Sequence, residues 1–126
     1  MTLLDNVPFA KVLGIEIESV EPGHAVLSMR LRHELRQNHG VAHGGSIAAV
    51  IDSAMAIAIM PLLAENERTT TVDLTIHYLR PLTEGTARAS ARVVRAGKRV
   101  ITVSAELFDD QEKLAATAIS TYLRLS

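Results

Sequence analysis

Asp52 is the single charged residue between Ile47 and Leu63, a run otherwise built of Ile, Ala, Val, Met, Leu, one Ser and one Pro. The run opens directly after His43-Gly44-Gly45. A carboxylate in so apolar a segment loses water at a cost on the order of several kcal/mol unless a partner compensates or the group takes up a proton. Groups placed at such cost are candidates for chemistry. A helix that starts at the two glycines presents unpaired N–H groups and partial positive charge, which suits an anion or a developing oxyanion. Gly44 and Gly45 have no side chain to hold a ligand carbonyl away from that backbone, and His43 stands where it can cap or orient the turn.

Spacing decides how these parts can work together. From Gly44 to Asp52 a helix climbs about 12 Å, whereas attack on a bound carbonyl needs reacting atoms about 3.5 Å apart. One ligand therefore meets both groups only if they come from different chains, as two antiparallel helices across a two-fold axis would arrange. On the Asp52 face the neighbours at helical spacing are Ala48, Ala49, Met55 and Ala56, mostly small, which leaves space for a ligand or a close helix contact. Two plainer accounts stay open: a buried Asp bonded to a nearby Ser or backbone N–H, and Gly-Gly as ordinary loop chemistry. A serine hydrolase reading of His43 to Ser46 fails, because no G-x-S-x-G occurs and the chain is too short for that fold.

Arg80, Arg88, Arg92, Arg95, Lys98 and Arg99 crowd one stretch in which Glu84 is the sole counter-charge. Arg and Lys there suit a phosphate clamp by charge and donor geometry, and a solvated sheet surface is the alternative. Strict alternation in Thr69 to Tyr78 puts Thr71, Asp73, Thr75 and His77 on one polar face. The net charge of -1 excludes a broadly basic nucleic-acid or membrane-surface binder. The absence of cysteine excludes a disulfide scaffold, thiolate-zinc sites and a Cys nucleophile. No metal site and no separate cofactor are expected. The start, Met1 to Asp5, lacks the basic and apolar regions of a signal peptide, so the cytoplasm is the expected compartment.

The elements that position these groups follow from periodicity. The 126 residues, 48% of them hydrophobic, predict one domain with an ordinary core. A short helix is expected from Leu4 to Leu13, stopped by Gly14, then strands from Ile15 to a turn at Pro22-Gly23 and from Ala25 to Leu31. A helix follows from Ser46 to Ala64, then strands near Thr69–Leu79, Thr86–Arg95, Lys98–Phe108 and Lys113–Leu125, with a tight hairpin at Ala96-Gly97. This order predicts an α+β domain, one long helix on a six-stranded antiparallel sheet. The run is nearly long enough to cross a membrane, but Asp52 at its centre and Pro61 near its end favour a helix buried in a globular domain. A helix apolar on nearly every side needs more cover than one sheet supplies, which favours a dimer.

Gln37-Asn38-His39-Gly40-Val41-Ala42-His43-Gly44-Gly45, then Asp52, then Val72 to Pro81 ending in Tyr-Leu-Arg-Pro, resembles the hotdog-fold acyl-CoA thioesterases of the PaaI-like branch. The resemblance spans nearly the whole chain and implies a hotdog fold, a homodimer able to pair into a dimer of dimers, and acyl-CoA as substrate, with CoA part of the substrate. By it Asp52 is the catalytic carboxylate, nucleophile or general base, and Gly44 the N–H donor to the thioester carbonyl. Gln37 or the adjacent Asn38 matches a side-chain amide near the reacting centre, His43 supports the turn, and Thr71, with Thr70 as rival, matches a hydroxyl that holds the water. Gly45, Met55 and Arg80 join the substrate-contacting set, and the hairpin of Arg95, Gly97, Lys98 and Arg99 resembles the segment that meets the CoA phosphates. The alternatives on this fold are a non-catalytic acyl-CoA sensor and a dehydratase or hydratase. Neither loss of the acid or glycines nor a different His and acid arrangement is found.

Overall fold

The computed structural model describes Leu4 and residues 7–126. Its elements are α1 (Pro8–Leu13), β1 (Glu16–Glu21), β2 (His24–Arg30), a 3-10 turn (His33–Leu35), α2 (Gly44–Ile59), a second 3-10 turn (Met60–Leu62), β3 (Arg68–Tyr78), β4 (Thr86–Ala96), β5 (Val100–Phe108) and β6 (Leu114–Leu125). All neighbouring strands are antiparallel, in the order β1-β2-β4-β5-β6-β3. The expected α+β layout, one long helix on a six-stranded sheet, is the one observed.

The core lies between α2 and one sheet face. Period-two alternation turns Ala25, Leu27 and Met29 of β2, Ala87, Ala89 and Ala91 of β4, and Ile101, Val103 and Leu107 of β5 inward, where all are fully buried. Small alanines on β4 let the helix approach closely, and its branched residues Ile47, Val50, Ile51 and Ile57 fill the space. The opposite flank of α2, with Ala48, Ala49, Asp52, Ser53 and Ala56, is only partly covered.

Several boundaries differ from expectation. α1 begins at Pro8, whose fixed φ suits a first helical position, and Asp5 and Asn6 of the expected helix lie outside the described residues. α2 begins two residues early, at Gly44, because His43 caps it, and ends at Ile59, where Pro61 forces the 3-10 turn. The hairpin tip after β4 is looser than a two-residue turn: the Gly97 N–H donates to Val100 O at 2.9 Å. A Cβ on Gly97 would lie 2.8 Å from that same oxygen, so the close approach requires glycine.

The largest correction concerns β3. It is an edge strand paired to β6, and its register shifts between Thr71 and Asp73. Thr71 is opposite Tyr122, whereas Asp73 is opposite Thr121, so Val72 is the extra residue of a β-bulge. Strict alternation fails there. Thr71 falls on the helix side with Leu74, Ile76 and Tyr78, and Asp73, Thr75 and His77 fall on the outer face. The Asp73 carboxylate replaces the lost ladder acceptor by taking the Thr121 N–H at 2.9 Å.

Two substitutions on α2 test this packing. Ile51→Ala should cost about 2–5 kcal/mol, the usual range for emptying a core site, whereas Ser53→Ala on the open flank should change stability by about 0.5 kcal/mol or less. Urea unfolding of both variants checks the contrast, and equal costs would place the helix wrongly.

Candidate active site

The N-terminus of α2 is shaped by its cap. His43 has extended backbone angles, and its Nδ1 accepts the Gly45 N–H at 2.8 Å, which puts the ring proton on Nε2. Ser46 Oγ donates to His43 O at 2.7 Å, tightening the same turn. With Gly45 committed to the cap, the Gly44 N–H is left without an acceptor among the described residues. On the other side, the Tyr78 hydroxyl donates to Gly44 O at 2.9 Å. Strand β3 thereby pins the first turn of the helix.

Gly44 and Gly45 open on a pocket of about 590 Å³ whose walls include Ile47, Leu79, Leu82, Leu107 and Ala116. Tyr78 and Arg80 supply its polar edge, and Arg80 is held by Asp109 at 3.6 Å. The Asp109 carboxyl is kept below its ordinary range, chiefly by the Lys113 N–H that it accepts, against some desolvation, with Arg80 adding a smaller pull.

Asp52 lies outside that pocket, two helical turns along. It is half-buried, less deeply than its apolar neighbours suggest, because the flank it shares with Ala49 and Ala56 is open. Its Oδ1 accepts two hydroxyls: Thr71 Oγ1 at 3.0 Å and the Tyr122 phenol. The bulge at Val72 is what aims Thr71 at the helix, so Thr71 and not Thr70 meets the acid.

Tyr122 and Tyr78 are site residues that sequence reasoning missed. A buried Tyr seeks a partner for its hydroxyl, and Tyr122 lies in phase with Ala116, Ala118 and Ser120 on the inner face of β6. That phase was a usable signal for burial. Its pairing with Asp52 was not, because it depends on the β3–β6 register.

The remaining candidates are dispersed. Gln37 folds its side-chain oxygen onto the His39 N–H, and Gln37 and Asn38 line a separate hollow with His33, Arg36 and Gly40. Met55 is fully buried in the core and is not among the residues lining the Gly44 pocket. Lys98 and Arg99 border a third hollow with Glu67 and Arg124, on a tip that Arg124 secures by donating its backbone N–H to Arg99 O at 2.7 Å and its Nε to Gly97 O at 3.0 Å. Arg88 is taken up by Glu18 through two contacts of 2.9 and 3.1 Å, so the stretch has counter-charges beyond Glu84. No cluster of His, Asp or Glu suited to a metal ion occurs among the described residues.

Known proteins resemble this chain in sequence and in fold. The thioesterase superfamily pattern matches residues 39–116. The chain is similar to the acyl-coenzyme A thioesterase PaaI of Escherichia coli, at 31% identity over 115 residues, 90% of this chain and 80% of that protein. It is also similar to the medium/long-chain acyl-CoA thioesterase YigI of Escherichia coli, at 29% over 133 residues, 94% of this chain and 86% of that protein. A solved thioesterase family protein from Silicibacter pomeroyi has a TM-score of 0.93 at 28% identity, over 97% of this chain and 92% of that one.

The cap is open to a direct test. His43→Ala leaves the Gly45 N–H unpaired and should lower stability by about 1 kcal/mol, the usual worth of an N-cap bond. His43→Asn, which keeps an acceptor, should recover most of it in urea unfolding, and an Ala variant as stable as the parent would remove His43 from this role.

Proposed function

The chain belongs to the thioesterase superfamily, and from that premise we propose that it hydrolyses the thioester of an acyl-CoA to the free acid and CoA, as a cytoplasmic homodimer with two shared sites. The observation that carries this reading is that an unpaired Gly44 N–H opens on an apolar pocket that the only acid of the same helix does not line. The similarity to acyl-CoA thioesterases supports CoA as the carrier.

In this reading the substrate carbonyl oxygen accepts the Gly44 N–H, where the helix terminus stabilises the negative charge that develops on attack. Asp52 of the second subunit removes a proton from water as its oxygen bonds to the carbonyl carbon. When the tetrahedral centre collapses, the C–S bond breaks, the sulfur leaves with the electron pair, and the proton held by Asp52 neutralises it. A second copy also accounts for what one protomer leaves uncovered: the small-residue flank of α2 and the unpaired edge of β3, where Val72 is 60% exposed.

The occupant of the pocket beside Gly44 is the acyl chain. A pantetheine arm carries amides that need partners, and walls of Ala42, Ile47, Leu82, Leu107 and Ala116 offer none from their side chains. The phosphates fall instead to the cationic tip of Arg95, Lys98 and Arg99.

Three experiments bear on this. Asp52→Asn should lower kcat by about 100-fold or more, the usual worth of a positioned base, with the fold retained. Mixing Asp52→Asn chains with Gly44→Val chains should restore about one quarter of the parent rate, because half of randomly paired dimers contain one intact site. No recovery on mixing, with both chains folded and exchanging, would refute the shared site. Separately, Ala42→Leu, which fills part of the pocket, should depress kcat/KM for long acyl chains more than for short ones in a thiol-release assay. An unchanged chain-length profile would assign the pocket to another part of the substrate.

A further inference from the structure

The acid on which the proposed reaction rests is held by its own protomer through one oxygen. Thr71 Oγ1 donates to Asp52 Oδ1 at 3.0 Å, and the Tyr122 hydroxyl donates to the same atom. The Tyr122 oxygen also lies 3.0 Å from the Asp52 backbone carbonyl, but a phenol has one proton, and Oδ1 is the nearer acceptor. Among the described residues Oδ2 accepts from no donor. Thr71 and Tyr122 are directly opposite one another across β3 and β6, immediately before the bulge, so one pair in the ladder supplies both hydroxyls.

Tyr122 is 2% exposed. Burial first, and then the adjacent Asp52 charge, raise its phenol above the ordinary range, so it keeps its proton and remains a donor wherever Asp52 is ionised. Among the described residues no other charged side chain is paired with Asp52. α2 has no second charged residue, and β2, β4 and β5 turn apolar side chains toward the helix. On β3, Asp73 is engaged with the Thr121 N–H, and on β6, Arg124 is engaged with Glu67 and Gly97 O.

We propose that Tyr122 is a positioning residue for the reaction: together with Thr71 it occupies Oδ1 of Asp52, fixes the plane of the carboxylate, and leaves Oδ2 as the oxygen that takes the proton from water. This rests on the thioesterase reading and adds a division of labour within the carboxylate. Because Oδ1 is already doubly engaged, Oδ2 is the oxygen left to accept a proton.

The test is Tyr122→Phe, which removes one oxygen and keeps the ring. With one tether gone the carboxylate is held less firmly, so kcat should fall by about tenfold while KM changes by less than about twofold. Thr71→Val should act in the same way, and the double variant should lose more kcat than either alone. A merely structural Tyr122 would lower the melting temperature and leave the kcat of the folded enzyme at the parent value, and that result would overturn the proposal. Asp52→Asn separates the two levels: an inactive Asp52→Asn beside a Tyr122→Phe variant with the parent kcat refutes the positioning role alone. An active Asp52→Asn refutes the reading beneath it.

Discussion

The site is laid out along a rigid rod. α2 carries Gly44 at its first turn and Asp52 two turns on, and a hydrogen-bonded backbone that rises about 1.5 Å per residue cannot bend to bring them together. The pocket at Gly44 is accordingly lined by apolar side chains with Tyr78 and Arg80 at its edge and no acid among them, while Asp52 lies on a flank of small side chains. In the proposed dimer a second antiparallel copy of the same rod would cover that flank and complete the pocket together.

The rod is held at two points by the chain's only two tyrosines. Tyr78, on β3, ties its hydroxyl to the carbonyl of Gly44, and Tyr122, on β6, ties its hydroxyl to Asp52. Both come from the strand pair at one side of the sheet, and the bulge at Val72 sets the phase between them. Before the bulge, Thr71 points to the helix; after it, Leu74, Ile76 and Tyr78 do. A regular strand would put Thr71 and Tyr78 on opposite faces, and one of the two anchors of β3 would be lost.

Charge is divided between holding and reaching. Arg88 is engaged with Glu18 and Arg80 with Asp109 at positions where solvent screens an ion pair and little stability follows from it. Arg124 is more enclosed, and it joins Glu67 to two carbonyl oxygens of the tip between β4 and β5. Its effect is to hold the backbone that displays Lys98 and Arg99. In a chain with a net charge of -1, such a local display is how an anionic ligand would be met.

Much of this was legible in the residues themselves. Alternation and turn residues located the six strands to within a few positions, because burying one face of a sheet imposes a period of two. The lone acid in an apolar run, the glycine pair before it and the helical rise between them were enough to argue that no single chain brings both to one ligand. The register was not legible: a bulge is one residue among eleven in β3, and nothing in Thr-Thr-Thr-Val-Asp says which one drops out of the ladder. From that register follow the choice of Thr71 over Thr70, the contact of Tyr122 with Asp52, and the outward turn of Asp73. The pairings of Arg88 with Glu18 and Arg124 with Glu67 join residues 70 and 57 positions apart, which local pattern cannot see. Local periodicity determined which elements form and where the chemistry-bearing residues lie on them. Tertiary pairing alone decided which hydroxyls, carboxylates and cations meet, because a hydrogen bond depends on ångström distances between strands that only the assembled sheet defines.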